Sequence, residues 1–174
     1  MSTCSISTIW RRAKACERLV VVGLLLTALP LSAQDWWWGP TLRGHLLSQA
    51  EAGLSLAVAL PADFDGLAAF ASGAWGLQAY RGYLGLGRIE PTGRQRFQWA
   101  ASSASIGAAV LRTRHHPWFG NAESLYWGIE ARWAPALDQS NTAAWLRGLH
   151  CDGSVLHDPD QNDTLAAFGL GWGF

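Results

Sequence analysis

The segment Thr164–Phe174, reading TLAAFGLGWGF, carries an unbroken apolar stripe. Ala166, Phe168, Leu170, Trp172 and Phe174 fall at every second position, and the residues between them from Ala167 onward are Ala or Gly. Side chains alternate across a β-strand, so one face of this segment is greasy and the other nearly bare. A water-soluble sheet has little use for such a strand. A strand with lipid on one side and a crowded barrel lumen on the other can use both faces.

The same two-residue period recurs upstream. From His45 to Leu60, the residues Leu46, Ala50, Ala52, Leu54, Leu56, Val58 and Leu60 share one face, opposite His45, Gln49, Glu51, Gly53 and Ser55. That run exceeds the ~5–6 residues of an ordinary strand and suits the ~9–11 residues of a tilted membrane-crossing one. Further strands are expected over 66–79, 83–89, 94–101, 104–113, 125–133, 142–150 and 164–174. Turns are expected at Tyr80-Arg81-Gly82 and at Ser102-Ser103, where the alternation changes phase. The count is eight, which predicts an all-β, antiparallel up-and-down transmembrane barrel with a lumen filled by side chains. With both ends in the periplasm, the two longest loops, Arg114–Ser124 and Cys151–Asp163, fall on the extracellular side. The closing strand is expected to pair with His45–Leu60.

Residues 1–33 read as a signal peptide. Arg11, Arg12, Lys14 and Arg18 precede the apolar run Leu19–Leu31, which is shorter than the ~20 residues a spanning helix needs. An uncleaved anchor is the alternative. Residues 34–44 contain Trp36-Trp37-Trp38 and read as a periplasmic, Trp-rich arm at the membrane boundary, or as a disordered arm; the barrel is then 45–174. Beyond residue 33 the chain holds nine Arg and twelve acidic residues, a net charge of −3, which offers no basic patch for nucleic acid. Cys151 is the one cysteine of that part, so no internal disulfide can form there.

The signal-like start, the alternating strands and the closing FGLGWGF resemble the broad group of small bacterial outer-membrane β-barrel proteins. The resemblance covers the chain beyond residue 33 at the level of pattern and selects no subfamily. It implies a place in the Gram-negative cell envelope, among lipid bilayer and lipopolysaccharide. It also implies that Phe168, Leu170, Trp172 and Phe174 are read by the barrel-assembly machinery. A monomer without cofactors is expected.

Four chemistries can be weighed. Glu51, Arg96, Glu130 and Arg132 fall on expected inward faces, with Gln49, Gln78 and Gln98 beside them, and predict an ion-paired plug in the lumen. Asp158, Asp160, Asn162 and Asp163 space oxygen ligands as a calcium loop does. However, the sixth position is Asp163 rather than Gly and the twelfth is Gly169, so a solvated loop is the reading adopted and no metal is assigned. His115, His116, His150 and His157 have no fixed metal-binding spacing. A lipid A hydrolase would need a His and a Ser on one face, and only cross-strand pairs such as His116 with Ser124 are open to it. The function expected is structural or interactive, with the extracellular loops as contact surface. The alternatives are a lipid A-modifying hydrolase on the same barrel and a soluble, lipocalin-like binder of apolar ligands.

Overall fold

The computed structural model describes residues 35–45, 48–77, 79–91, 94–113, 123–136 and 146–174. The signal-like residues 1–33 lie outside them. Eight antiparallel strands follow one another around a closed barrel: β1 (Trp36–His45), β2 (Ser48–Ala59), β3 (Leu67–Gly76), β4 (Ala79–Pro91), β5 (Ala101–Thr113), β6 (Ser124–Ala134), β7 (Leu149–Asp158) and β8 (Asp163–Gly173). Each strand pairs with its neighbours in sequence, and β8 returns to β1, with Thr41 opposite Gly173 and His45 opposite Gly169. Closure leaves the sheet without a free edge along that seam.

The stagger follows from the pairing. Pro40 leads in turn to Leu54, Gly73, Gly82, Val110, Trp127, His157 and Thr164. Across the seam, Pro40 instead meets Phe174, whose N–H donates to its carbonyl at 2.9 Å. One circuit therefore advances from Thr164 to Phe174, ten residues. At ~3.3 Å per residue and ~4.8 Å between strands, that stagger tilts eight strands by about 40° and leaves room only for side chains inside.

The barrel has a proximal end, where β1 starts and β8 finishes, and a distal end. Distal connections are 46–47, 77–78, 114–123 and 159–162; proximal ones are 60–66, 92–100 and 135–148. The proximal connection 60–66 holds a 3₁₀ turn, Ala62–Phe64.

Several sequence expectations are corrected. Trp36–His45 is a strand of the barrel, not an arm before it, and it is this strand, not His45–Leu60, that closes the barrel with β8. Three tryptophans followed by Gly-Pro hide the alternation, yet Gly39, Thr41, Arg43 and His45 all point inward and are buried. Tyr80-Arg81-Gly82 is part of β4, and the chain passes from β3 to β4 earlier, between Gly76 and Ala79. β5 runs unbroken through Ser102-Ser103. Cys151–Asp158, expected as loop, is most of β7, so the distal end does not carry two long loops. Residues 142–145 of the expected strand 142–150 lie outside the described residues, as do 137–141 and 114–122.

Residues 94–100, expected as a strand of the barrel wall, form a strap. β4 and β5 stand across the barrel from β1, so their connection must cross the proximal mouth to reach it. There Trp38 N–H donates to Arg96 O and Gln98 N–H to Trp38 O, both at 2.8 Å, a short parallel bridge between Trp38 and Phe97. The bridge pairs the part of β1 that projects past the end of β8. Aromatic rings fasten it: Phe97 lies edge-on to Trp38 at 4.9 Å, and Trp99 edge-on to Trp172 at 4.7 Å. The strap comes so close to β1 that a Cβ at Gly39 would sit 1.9 Å from Gln98 O, which is why that position is glycine.

Candidate functional site

Polarity in this barrel is inverted. On the outward face, Leu54, Leu86, Ile106, Ile129, Val155 and Phe168 are all about half exposed or more. Exposed aromatics flank them: Trp38, Trp99 and Trp133 toward the proximal end, Trp75, Tyr80 and Trp127 toward the distal end. Among described outward positions of the strands, charged residues and histidine occur only toward strand ends, at Arg88, Glu90, Arg112 and His157. Arg112 is paired with Glu123 at its Nε, 3.0 Å away.

The charges are inside. Arg43, His45, Glu51, Arg81, Glu130, His150 and Asp152 are each at most 7% exposed, at inward positions of β1, β2, β4, β6 and β7. Glu130 is fully buried and gathers three guanidinium groups. Arg81 Nη1 donates to its Oε2 at 2.8 Å, while Arg132 Nε and Arg43 Nη1 donate to its Oε1 at 2.6 and 3.3 Å. Arg81 Nε also lies 3.4 Å from Glu51 Oε2. His45 stands between two acids, 3.8 Å from Glu51 and 3.6 Å from Asp152. The Arg132 guanidinium rests 3.5 Å over the Tyr83 ring, whose O–H donates to Ser105 at 2.8 Å. Three arginines face three carboxylates, so the belt is neutral when its histidines are. A buried charge without a partner costs several kcal/mol, and this mutual neutralisation allows six to coexist in one lumen.

Apolar layers close the belt on both sides. Leu111, Tyr126 and Leu156 pack on the distal side, and Ala57, Phe70 and Phe174 on the proximal side. Gln98 of the strap is 1% exposed, and its amide donates to Gln95 O. The arrangement is a plug that ties β1, β2, β4, β6 and β7 together across the lumen.

Of the residues expected in this network, Glu130 and Arg132 meet, and Glu51 joins them through Arg81. Arg96 does not: it sits on the exposed strap with its guanidinium 4.5 Å over the Trp36 ring. Gln78 and the Gln49 side chain lie outside the described residues. Arg43, Arg81, His45, His150 and Asp152 were not in the expected set. Their parity on the strands would have placed them inward, but Arg43 was assigned to an arm, Arg81 to a turn and Asp152 to a loop.

The closing stripe is also divided. Phe168 and Leu170 face outward, about half exposed. Trp172 is half-buried against Trp99. Phe174 leaves the stripe: Gly173 has φ +118°, a conformation glycine alone adopts readily, and it turns Phe174 in against the interior cluster.

The acidic hairpin does not gather its oxygens around one point. Asp158 Oδ1 accepts from the main-chain N–H of Asp160 and Gln161, and Asp163 Oδ2 accepts from the Tyr126 hydroxyl. Among the described residues no group of three or more His, Cys, Asp or Glu is placed to hold a metal. His150 points into the lumen and His157 outward, so these two do not converge. Ser124 is buried and accepts from Gln161, away from the outer face, and His116 lies outside the described residues. No protein-family model, curated protein or solved structure matches the chain.

Proposed function

We propose that the chain is an outer-membrane β-barrel, exported by its N-terminal segment and held shut by its own charged belt, with a structural or interaction role. The observation that carries this is the polarity: the described outward positions between the two aromatic groups hold no charge, while six charges are buried inside. A soluble eight-stranded binder needs the reverse, a polar exterior and an apolar calyx. A bilayer supplies the apolar surroundings that Ile106, Ile129 and Val155 lack in water, and aromatic girdles mark its two boundaries. With the proximal end in the periplasm, the strap lies there and segment 114–123 is the longest connection on the outside. That reduces the extracellular contact surface to this segment and the short hairpins beside it. Lipopolysaccharide is the neighbour such a rim would meet, and the assembly machinery the partner during biogenesis.

The test is fractionation of expressing cells together with heat-dependent migration on a denaturing gel. Recovery in the outer membrane, with a fast-migrating unheated band, is expected; recovery in the soluble periplasm would overturn the reading.

A lipid-modifying hydrolase is the second reading, and one observation favours it. His157 Nδ1 and Thr164 Oγ1 are 3.1 Å apart on the outer face at the distal rim, where a lipid headgroup would lie. Mass spectrometry of lipid A with and without expression decides this; an unchanged profile removes it.

A further inference from the structure

We infer that the proximal half of the lumen holds a binding site for one small monovalent anion of halide size. Between the charged belt and the proximal mouth is a cavity of about 30 Å³. A single water needs ~10–15 Å³ on this measure, so the space takes one such ion or a pair of waters. Its polar lining is Arg43, Arg132, His150, Ser55, Ser103 and Ser105. No carboxylate side chain lines it; Glu51, Glu130 and Asp152 all belong to the belt instead.

Donors on the residues lining this space lack protein acceptors. Arg43 Nε, Arg132 Nη2 and Ser55 Oγ are buried and have no hydrogen-bond partner within the protein. Each arginine also donates one N–H to Glu130, Arg43 from Nη1 and Arg132 from Nε, which anchors both guanidinium groups beside the space. Ser105 accepts from Tyr83, which leaves its own O–H to donate elsewhere. Buried donors are nearly always satisfied, and here one acceptor-only particle would satisfy several at once. Guanidinium groups bond most strongly to charged acceptors, which favours an anion over water. The proximal wall is Ala101, Ala134 and Phe174, so an ion would enter from the mouth beside the strap. The site depends on the barrel and its lumen, not on what surrounds the barrel.

The experiment uses the full-length chain folded in a halide-free nonionic detergent. The midpoint of its heat-induced band shift is compared in sodium bromide, sodium chloride and sodium gluconate at one ionic strength. Bromide and chloride should raise the midpoint above gluconate, increasingly with concentration, as binding to the folded state alone requires. Ser55→Leu fills the cavity while leaving the belt intact; it should keep the band shift and lose the halide increment. A wild-type measurement needs no variant to fold: excess ³⁵Cl NMR line broadening should appear and be competed away by bromide. Equal midpoints in bromide and gluconate, absence of competed broadening, or an undiminished increment in Ser55→Leu would each overturn the site.

Discussion

Arg81 on β4 and Glu130 on β6 meet across the lumen, guanidinium Nη1 to carboxylate Oε2 at 2.8 Å, with the whole of β5 between their strands. They are 49 residues apart and both are almost completely buried. The contact exists because the sheet curls tightly enough to bring together the inward faces of the two strands flanking β5.

Glu130→Ala should leave three guanidinium groups without their shared acceptor. Removing one partner from a buried ion pair costs about 3–5 kcal/mol. The band-shift temperature in detergent, or the urea midpoint, is expected to fall accordingly. Glu51→Gln should cost less, because the amide keeps the side chain's shape and an acceptor oxygen for Arg81, whose Nε lies 3.4 Å from Glu51 Oε2. Equal losses for the two would contradict the central place given to Glu130.

Ile106→Arg and Ile129→Arg place a charge on the outward face between the aromatic girdles. In a bilayer each should cost about 2–4 kcal/mol, whereas Leu125→Arg at the distal rim should cost about 0–1 kcal/mol. If water surrounds the barrel, all three are surface substitutions and should stay within about 0.5 kcal/mol. Equilibrium unfolding from lipid vesicles measures the gradient.

Phe174→Ala separates two roles. Phe174 packs against Phe70 and its neighbours inside the barrel, so its loss should lower stability of the purified barrel by about 1–2 kcal/mol. A residue that serves only as an assembly signal would lower outer-membrane yield and leave the purified barrel unchanged. Measuring yield and unfolding midpoint on the same variant distinguishes these.

Gly107→Val should prevent a well-packed barrel. A Cβ there would lie 2.1 Å from Leu84 O and 2.3 Å from Gly85 Cα, a backbone that cannot move without opening the β4–β5 ladder. Overpacking of this kind costs about 1–3 kcal/mol or more. A variant with wild-type heat stability would show the two strands can part.

Much of the wall was legible in the sequence. The strands covering 48–59, 67–76, 124–134 and 163–173 alternate cleanly, and their parity assigns Glu51, Glu130 and Arg132 to the lumen without coordinates. The errors share a cause. In a lumen lined by polar groups, an inward strand position looks like a loop position, so Asp152, Gly153 and Ser154 read as loop while forming part of β7. The converse holds at Gln95-Arg96-Phe97-Gln98-Trp99, which alternates like a wall strand but crosses the mouth and pairs only at Trp38, where β1 projects past the end of β8.

What the sequence determined by itself is therefore the sign of each face: a two-residue period dictates which side chains share a side. Which inward residues touch was decided by the tertiary structure alone. A ten-residue stagger around eight strands brings Arg43, Arg81 and Arg132 to one carboxylate, and a closed circuit fixes that stagger only when β8 meets β1. The inward turn of Phe174 has the same origin, since Gly173 adopts its left-handed conformation where β8 runs out of wall.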